Sequence, residues 1–270
     1  MLKHTALVAV LAHLRKKDKP FAVIDAHAGR GVYDLSSVEA QKTGEASGGI
    51  ARLLAETSLP DPLPLYREIV RGFGDGRYPG SPSIAAKMLR RQDRMVAIEK
   101  HPEELTALSE TLAGVRNVRA IEGDYRSYMK KLLPPPERRG LVLIDPPYEA
   151  ADEFIDAART IIESWRRFAT GIYLLWYPAK HRPSVDAAAG ELLTAGIASL
   201  LRLDLDIGTS KGMVEPGRAA PMSATGLLVV NPPYGFAGQM DAVLSTLTTM
   251  LGRGPDAQSS LTRLAGEPDH

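Results

Sequence analysis

Seven apolar runs of strand length recur along the chain: Phe21–Asp25, Met95–Glu99, Val118–Glu122, Leu141–Asp145, Ile172–Trp176, Leu200–Ile207 and Thr225–Asn231. Before and between them, apolar residues recur every three or four positions. Leu7, Val10, Leu11 and Leu14 make one such stripe, and Phe154, Ala158, Ile161, Ile162 and Trp165 make another. Continuous apolar strands are buried on both faces, and amphipathic helices between them supply the cover. The alternation predicts an α/β fold with a doubly wound, mostly parallel, seven-stranded sheet.

The rhythm breaks once. About seventy residues separate the first strand from the second, far more than a crossover needs. Tyr66, Ile69, Val70 and Phe73 share a helical face there, and Ser81-Pro82 reads as an N-cap followed by proline at the first helical position. A small helical insertion is therefore expected at about residues 36–80, within one domain spanning 1–251. The segment 252–270, rich in Gly, Ser, Asp and Pro, reads as a disordered tail.

Composition narrows the chemistry. The 270 residues include no cysteine, which removes disulfides, thiolate metal sites and cysteine nucleophiles. No apolar run reaches membrane-spanning length and no signal-peptide pattern opens the chain, so a cytoplasmic protein is expected. The net charge is only +1, but the basic residues cluster: Arg15, Lys16, Lys17 and Lys19; Lys87, Arg90, Arg91 and Arg94; Lys130, Lys131, Arg138 and Arg139. Each cluster taken singly suits a solvated helix end as well as a nucleic-acid contact.

Strand ends carry the candidate chemistry. The first strand runs into Asp25-Ala26-His27-Ala28-Gly29-Arg30-Gly31, a turn in which glycine lets backbone approach a ligand. The dinucleotide fingerprint is incomplete, so the turn alone is equally an ordinary strand-to-helix connection. The second strand ends at Glu99, placed to accept hydrogen bonds from ribose hydroxyls, and the third at Gly123-Asp124, placed to meet a cofactor's adenine.

The most specific signal is Asp145-Pro146-Pro147-Tyr148, directly after the fourth strand. An exocyclic amino nitrogen is a poor nucleophile because its lone pair is delocalised into the ring. A carboxylate and a backbone carbonyl that each accept one of its N–H bonds free that pair. Prolines stiffen the turn that presents the carbonyls, and the aromatic ring offers a stacking face. A second tetrapeptide, Asn231-Pro232-Pro233-Tyr234, follows the last strand. The first lies near the point where strand order reverses and the second near the sheet edge, so Asp145 is assigned the chemistry and Asn231 a structural role.

Several blocks resemble the bacterial 23S rRNA adenine-N6 methyltransferases of the RlmJ type: Leu2-Lys3-His4-Thr5, Asp25 to Gly29, Tyr78-Pro79-Gly80-Ser81-Pro82, Arg138-Arg139-Gly140, Leu143 to Tyr148, Arg167-Phe168-Ala169-Thr170-Gly171, Trp176-Tyr177-Pro178 and Asn231-Pro232-Pro233. The resemblance implies a Rossmann-like S-adenosylmethionine-dependent methyltransferase fold and no metal. It implies cofactor contacts at His4, His27, Gly29, Ser81, Glu99 and Asp124, and catalysis by the Asp145, Pro146, Pro147, Tyr148 turn. Lys3 and Tyr148 are the substrate contacts it implies. The partner would be 23S rRNA, protein-free or partly assembled, met by a monomer and not by a membrane protein. In that family a segment rich in Tyr, His, Gly and Asn precedes the Lys-His pair and helps cover the cofactor. Here the sequence begins at Met1-Leu2, so that segment lies upstream or the pocket is incomplete. The loop Gly208–Pro221 is longer than the family's. DNA adenine-N6 methylation, glutamine methylation and a non-catalytic nucleic-acid-binding role, as in competence, are the alternatives.

Overall fold

The computed structural model describes residues 1–35, 45–148, 152–179, 182–208 and 222–267. The chain opens with α1 (Leu2–Arg15), β1 (Ala22–Asp25), β2 (Val32–Asp34), α2 (Glu45–Ala55), α3 (Leu63–Arg71), β3 (Arg77–Pro79) and α4 (Ser81–Met88). It continues through β4 (Arg94–Glu99), α5 (Pro102–Thr111), β5 (Val118–Glu122), α6 (Tyr125–Leu132), β6 (Gly140–Ile144) and α7 (Glu153–Arg167). Last come β7 (Ile172–Pro178), α8 (Arg182–Thr194), β8 (Leu200–Asp206), β9 (Ala224–Val230), α9 (Phe236–Leu251) and β10 (Gln258–Ala265).

Among the described residues one sheet has eight strands in the order β10-β8-β9-β7-β6-β1-β4-β5. The run from β7 to β5 is parallel throughout, whereas β9 and β10 run against it. Side chains alternate between two cores. Val23, Leu141 and Leu143 face the layer built by α1, α4 and α9, while Ile24, Val142 and Ile144 face α6, α7 and α8. Strand order reverses beside β1, between β4 and β6, and such reversals leave a crevice at the carboxyl ends.

Helix α1 is buried beyond its predicted stripe: Leu2 and every residue from His4 to Leu11 are enclosed. It lies between the sheet and α3, α4 and α9. That enclosure fixes Lys3 and His4 in its first turn. In the insertion, β2 and β3 pair antiparallel from Val32↔Pro79 to Asp34↔Arg77, with α2 and α3 between them. Residues 36–44, where the insertion is expected to begin, and the loop beyond Gly208 lie outside the described residues. Among those described, no helix is long and apolar enough to cross a membrane.

Two expectations need correction. The sheet has eight strands, not seven, because Gln258–Ala265 forms β10 where a disordered tail was expected. Its backbone pairs antiparallel along β8, from Gln258↔Asp206 to Ala265↔Leu200. The small polar residues that suggested disorder suit an outermost strand, where one face meets water and the ladder satisfies the backbone. Also, α4 begins at Ser81 with Gly80 as its N-cap, so Ser81 is in the helix and Pro82 is its second residue.

Candidate active site

Strand register brings the predicted residues to one rim. Asp25 lies opposite Ala97 of β4 and Leu143 of β6, so Glu99 and Asp145 each emerge two residues further along the neighbouring strands. Lys3 and His4 reach the same rim from α1.

Asp145 Oδ2 pairs with the Lys3 ammonium. Burial alone would lower the Lys3 pKa, but Asp145, with Asp25 and Tyr33 adding to it, carries it above the ordinary lysine value. The ammonium stays charged at neutral pH. It also sits 5.9 Å from the centre of the Trp176 ring. The Asp145 backbone N–H donates to His27 Nδ1 at 3.2 Å. Burial depresses the His27 pKa to about 4, against the pull of Asp145, Glu99 and Asp124. The ring is therefore neutral, and because Nδ1 accepts, its proton is on Nε2. Tyr125 packs on it at 4.5 Å. His27 thus ties the turn after β1 to the turn after β6.

Tyr148 is held in a left-handed backbone conformation, φ 55°, rare for a non-glycine residue and concentrated at sites the surrounding structure over-determines. Its hydroxyl donates to the Trp176 carbonyl, and its ring packs 4.2 Å from Phe154. Pro146 is buried and Pro147 exposed.

The cofactor candidates divide. Glu99 is buried and accepts three backbone N–H bonds, from Gly29, Lys100 and His101, each at 2.8 Å. It fastens the glycine turn to β4, and with about four lone-pair sites one acceptor position remains. Gly29 has φ +61°, and a Cβ there would strike the Tyr33 hydroxyl. Asp124 is instead the N-cap of α6. It accepts from the Arg126 backbone at 2.9 Å and its guanidinium at 3.0 and 2.7 Å, and these bonds hold its carboxyl below the usual range. Ser81 is buried beside Asp25. Asp25 is pushed up to about 6, chiefly by burial, with Ser81 and Lys3 pulling the other way and Asp145 adding to the rise. His4 Nδ1 bonds the Tyr78 hydroxyl at 2.7 Å, which meets Tyr66 at 2.8 Å; burial and Lys3 keep this ring neutral.

Two buried atoms at this rim have no partner, His4 Nε2 and Asp25 Oδ2. Buried polar groups are costly to leave unpaired. A ligand carrying an ammonium, a sulfonium and ribose hydroxyls fits the acids and these atoms together.

The second tetrapeptide sits at the other end of the sheet. β9 is antiparallel to β7 with Val230 opposite Tyr173, so Asn231 emerges beside the start of β7, whereas Asp145 follows Ile144, opposite Leu175. Asn231 Nδ2 donates to the carbonyls of Ala169 and Gly171 at 2.8 and 2.7 Å. Tyr234 is 72% exposed.

The family model described as "Ribosomal RNA large subunit methyltransferase D, RlmJ" matches residues 18–262. The chain belongs to this family. "Ribosomal RNA large subunit methyltransferase J" of Escherichia coli is 39% identical over 93% of this chain and 89% of its own length. The Haemophilus influenzae protein of the same name is 38% identical over the same shares. A solved protein of Legionella pneumophila superposes with a TM-score of 0.81 at 32% identity, over 98% of this chain and 96% of its own.

In this RlmJ-type methyltransferase with its Rossmann-like core, the rim also gathers residues that the motifs did not single out. Asp25, Tyr78 and Trp176 all stand in quoted blocks, and Asp25 ends a strand at the same rim as the chosen acids. That position was the available signal. Tyr66, Tyr33 and Tyr125 come from separate elements, and no spacing connects them to the site.

Proposed function

We propose that this member of the large-subunit rRNA methyltransferases moves a methyl group from S-adenosylmethionine to N6 of an unpaired or flipped-out adenine in 23S rRNA. The observation that carries the reading is the Asp145–Tyr148 turn at the carboxyl end of β6, tied to the glycine turn of β1 through His27. When bound, the cofactor supplies an electrophilic sulfonium methyl. Glu99 offers its remaining acceptor position to the ribose, the backbone at Gly29 admits close approach, and His4 and Asp25 present their unpartnered atoms. Asp124 offers the adenine whatever capacity Arg126 leaves it.

Asp145 accepts one N–H of the target amine and a carbonyl of the Pro-Pro turn the other, which turns the nitrogen lone pair toward the methyl. Much of the catalysis is alignment, and a well-oriented bound pair gains several kcal/mol over a free encounter. Lys3 holds Asp145 in place through their ion pair, and its stem borders the base. The Tyr148 ring lines the entry. A base inside a helix cannot reach this recess, so loops and single strands are the favoured substrate, in RNA that is protein-free or partly assembled. Mass-spectrometric mapping of 23S rRNA from cells lacking the gene tests the reading. One N6-methyladenosine should disappear and return with the wild-type gene but not with Asp145→Ala. An unchanged rRNA methylation pattern overturns it.

A further inference from the structure

Helices α1 and α9 both run from one end of the sheet to the other, in opposite directions. A Cβ on Gly49 would touch Met1 and Leu251, so the start of α1 and the end of α9 meet there. Their other ends, Arg15 and Tyr234-Gly235, therefore share the opposite end. Twelve residues of α1 separate Lys3 from Arg15, about 18 Å at 1.5 Å per residue. This end lies at the starts of the parallel strands, far from Asp145.

It is strongly basic in a chain whose net charge is +1. Arg15, Lys16, Lys17, Lys19 and Arg91 are all exposed there. The loop bearing the lysines is pinned. Arg90 donates to the carbonyls of Lys17 and Lys19 at 2.9 and 3.0 Å, and Arg139 to those of Lys19 and Leu14 at 2.9 and 2.6 Å. Arg90 is in turn held by buried Asp93. The pinned carbonyls leave the ammonium groups facing water on an ordered loop. Exposed acids nearby are Asp18 on that loop and Asp241 on α9. Tyr234, at 72% the most exposed large hydrophobic side chain among the described residues, stands at the same end. Ordered cations at the same end as an exposed aromatic ring suit single-stranded nucleic acid, whose phosphates meet the charges while a base stacks on the ring.

We propose that this end is a second RNA-binding surface, which grips an unpaired stretch of the same rRNA outside the target site. The proposal rests on the rRNA reading above. Lys16 and Lys17, with Lys19 and Arg91, contact phosphates, and Tyr234 stacks one base. The surface holds long RNA without touching the reacting adenine.

The test compares full-length protein-free 23S rRNA with the shortest fragment that the wild type still methylates. In the variant K16E/K17E/K19E/R91E, kcat/KM on the long RNA should fall at least tenfold through KM. The slope of log affinity against log salt should drop by about 3, near 0.7 per lost single-strand phosphate contact. On the short fragment kcat/KM should stay within twofold. Tyr234→Ala, in which all the charges remain, should weaken long-RNA binding about five- to 150-fold, the range for one stacked base. Equal losses on both RNAs, or none on the long one, overturn the surface. A wild type that methylates neither RNA fails the rRNA reading itself, and the surface falls with it.

Discussion

The two tetrapeptides share Pro-Pro-Tyr after a carboxylate or its amide and differ in nearly every physical respect. Asp145 ends a parallel strand at the crevice rim, pairs with a lysine and has its backbone fixed by a neutral histidine. Asn231 ends a reversed strand at the far end of the sheet and spends its amide on two carbonyls of the loop before β7. Tyr148 is largely enclosed and packed against Phe154, whereas Tyr234 is 72% exposed. A four-residue motif therefore has no chemistry of its own. Strand direction decides which end of the sheet it occupies, and the neighbours at that end decide whether its first residue meets a lysine at the crevice rim or clamps two loop carbonyls.

Alanine at the two first positions should give the largest contrast. On the proposed role, Asp145→Ala removes the acceptor at the reacting nitrogen, and kcat should fall by about 10²–10³-fold. Calorimetry should show S-adenosylmethionine affinity changed by less than about threefold. Asn231→Ala should leave kcat within about twofold and lower the melting temperature by a few degrees, the effect of about 1–2 kcal/mol from two lost hydrogen bonds. Transfer of a labelled methyl group together with thermal denaturation separates the two.

The next test concerns what fixes Asp145. His27→Leu removes the acceptor of its N–H, and kcat should fall about tenfold. His27→Asn places an amide oxygen close to the position of Nδ1 and should recover most of that loss. If both variants are equally impaired, the bond is not what positions the turn. A related expectation follows from the His27 pKa near 4. The group is depressed below its unfolded value of about 6.5, so its burial costs stability only as pH falls from about 6.5 toward 4, where the unfolded state binds the extra proton. His27→Asn should flatten that part of the stability–pH curve measured by denaturant titration.

The smallest effects belong to the two tyrosines. Tyr148→Phe leaves the Trp176 carbonyl without its donor, which is worth about 1 kcal/mol and a few-fold in kcat/KM. Tyr234→Phe keeps the exposed ring and should change turnover by no measurable amount.

Much of this contrast was legible beforehand. Continuous apolar runs gave the strands, because a strand covered on both faces has no polar alternation to hide it, and acids at three strand ends gave the rim. Placing Asp145 near the reversal and Asn231 away from it followed from order along the chain. The antiparallel entry of β9, which puts Asn231 at the opposite end, left no mark in its composition. β10 was missed for the reverse reason. Its Ser, Thr and Gln look like a tail until the edge of β8 supplies a partner. Glu99 and Asp124 looked alike as strand-end acids, yet one fastens a glycine turn and the other caps a helix under a bidentate arginine. Such differences arise from residues about seventy positions away, as Gly29 is from Glu99, or two away, as Arg126 is from Asp124, and neither spacing is a signal by itself.

The most direct measurement incubates the purified protein with methyl-labelled S-adenosylmethionine and protein-free 23S rRNA, digests the RNA to nucleosides and identifies the labelled one by mass spectrometry. Label should appear in N6-methyladenosine, be lost in Asp145→Ala and be kept in Asn231→Ala. Label in another nucleoside, or activity that survives in Asp145→Ala and vanishes in a folded Asn231→Ala, would contradict the proposed function.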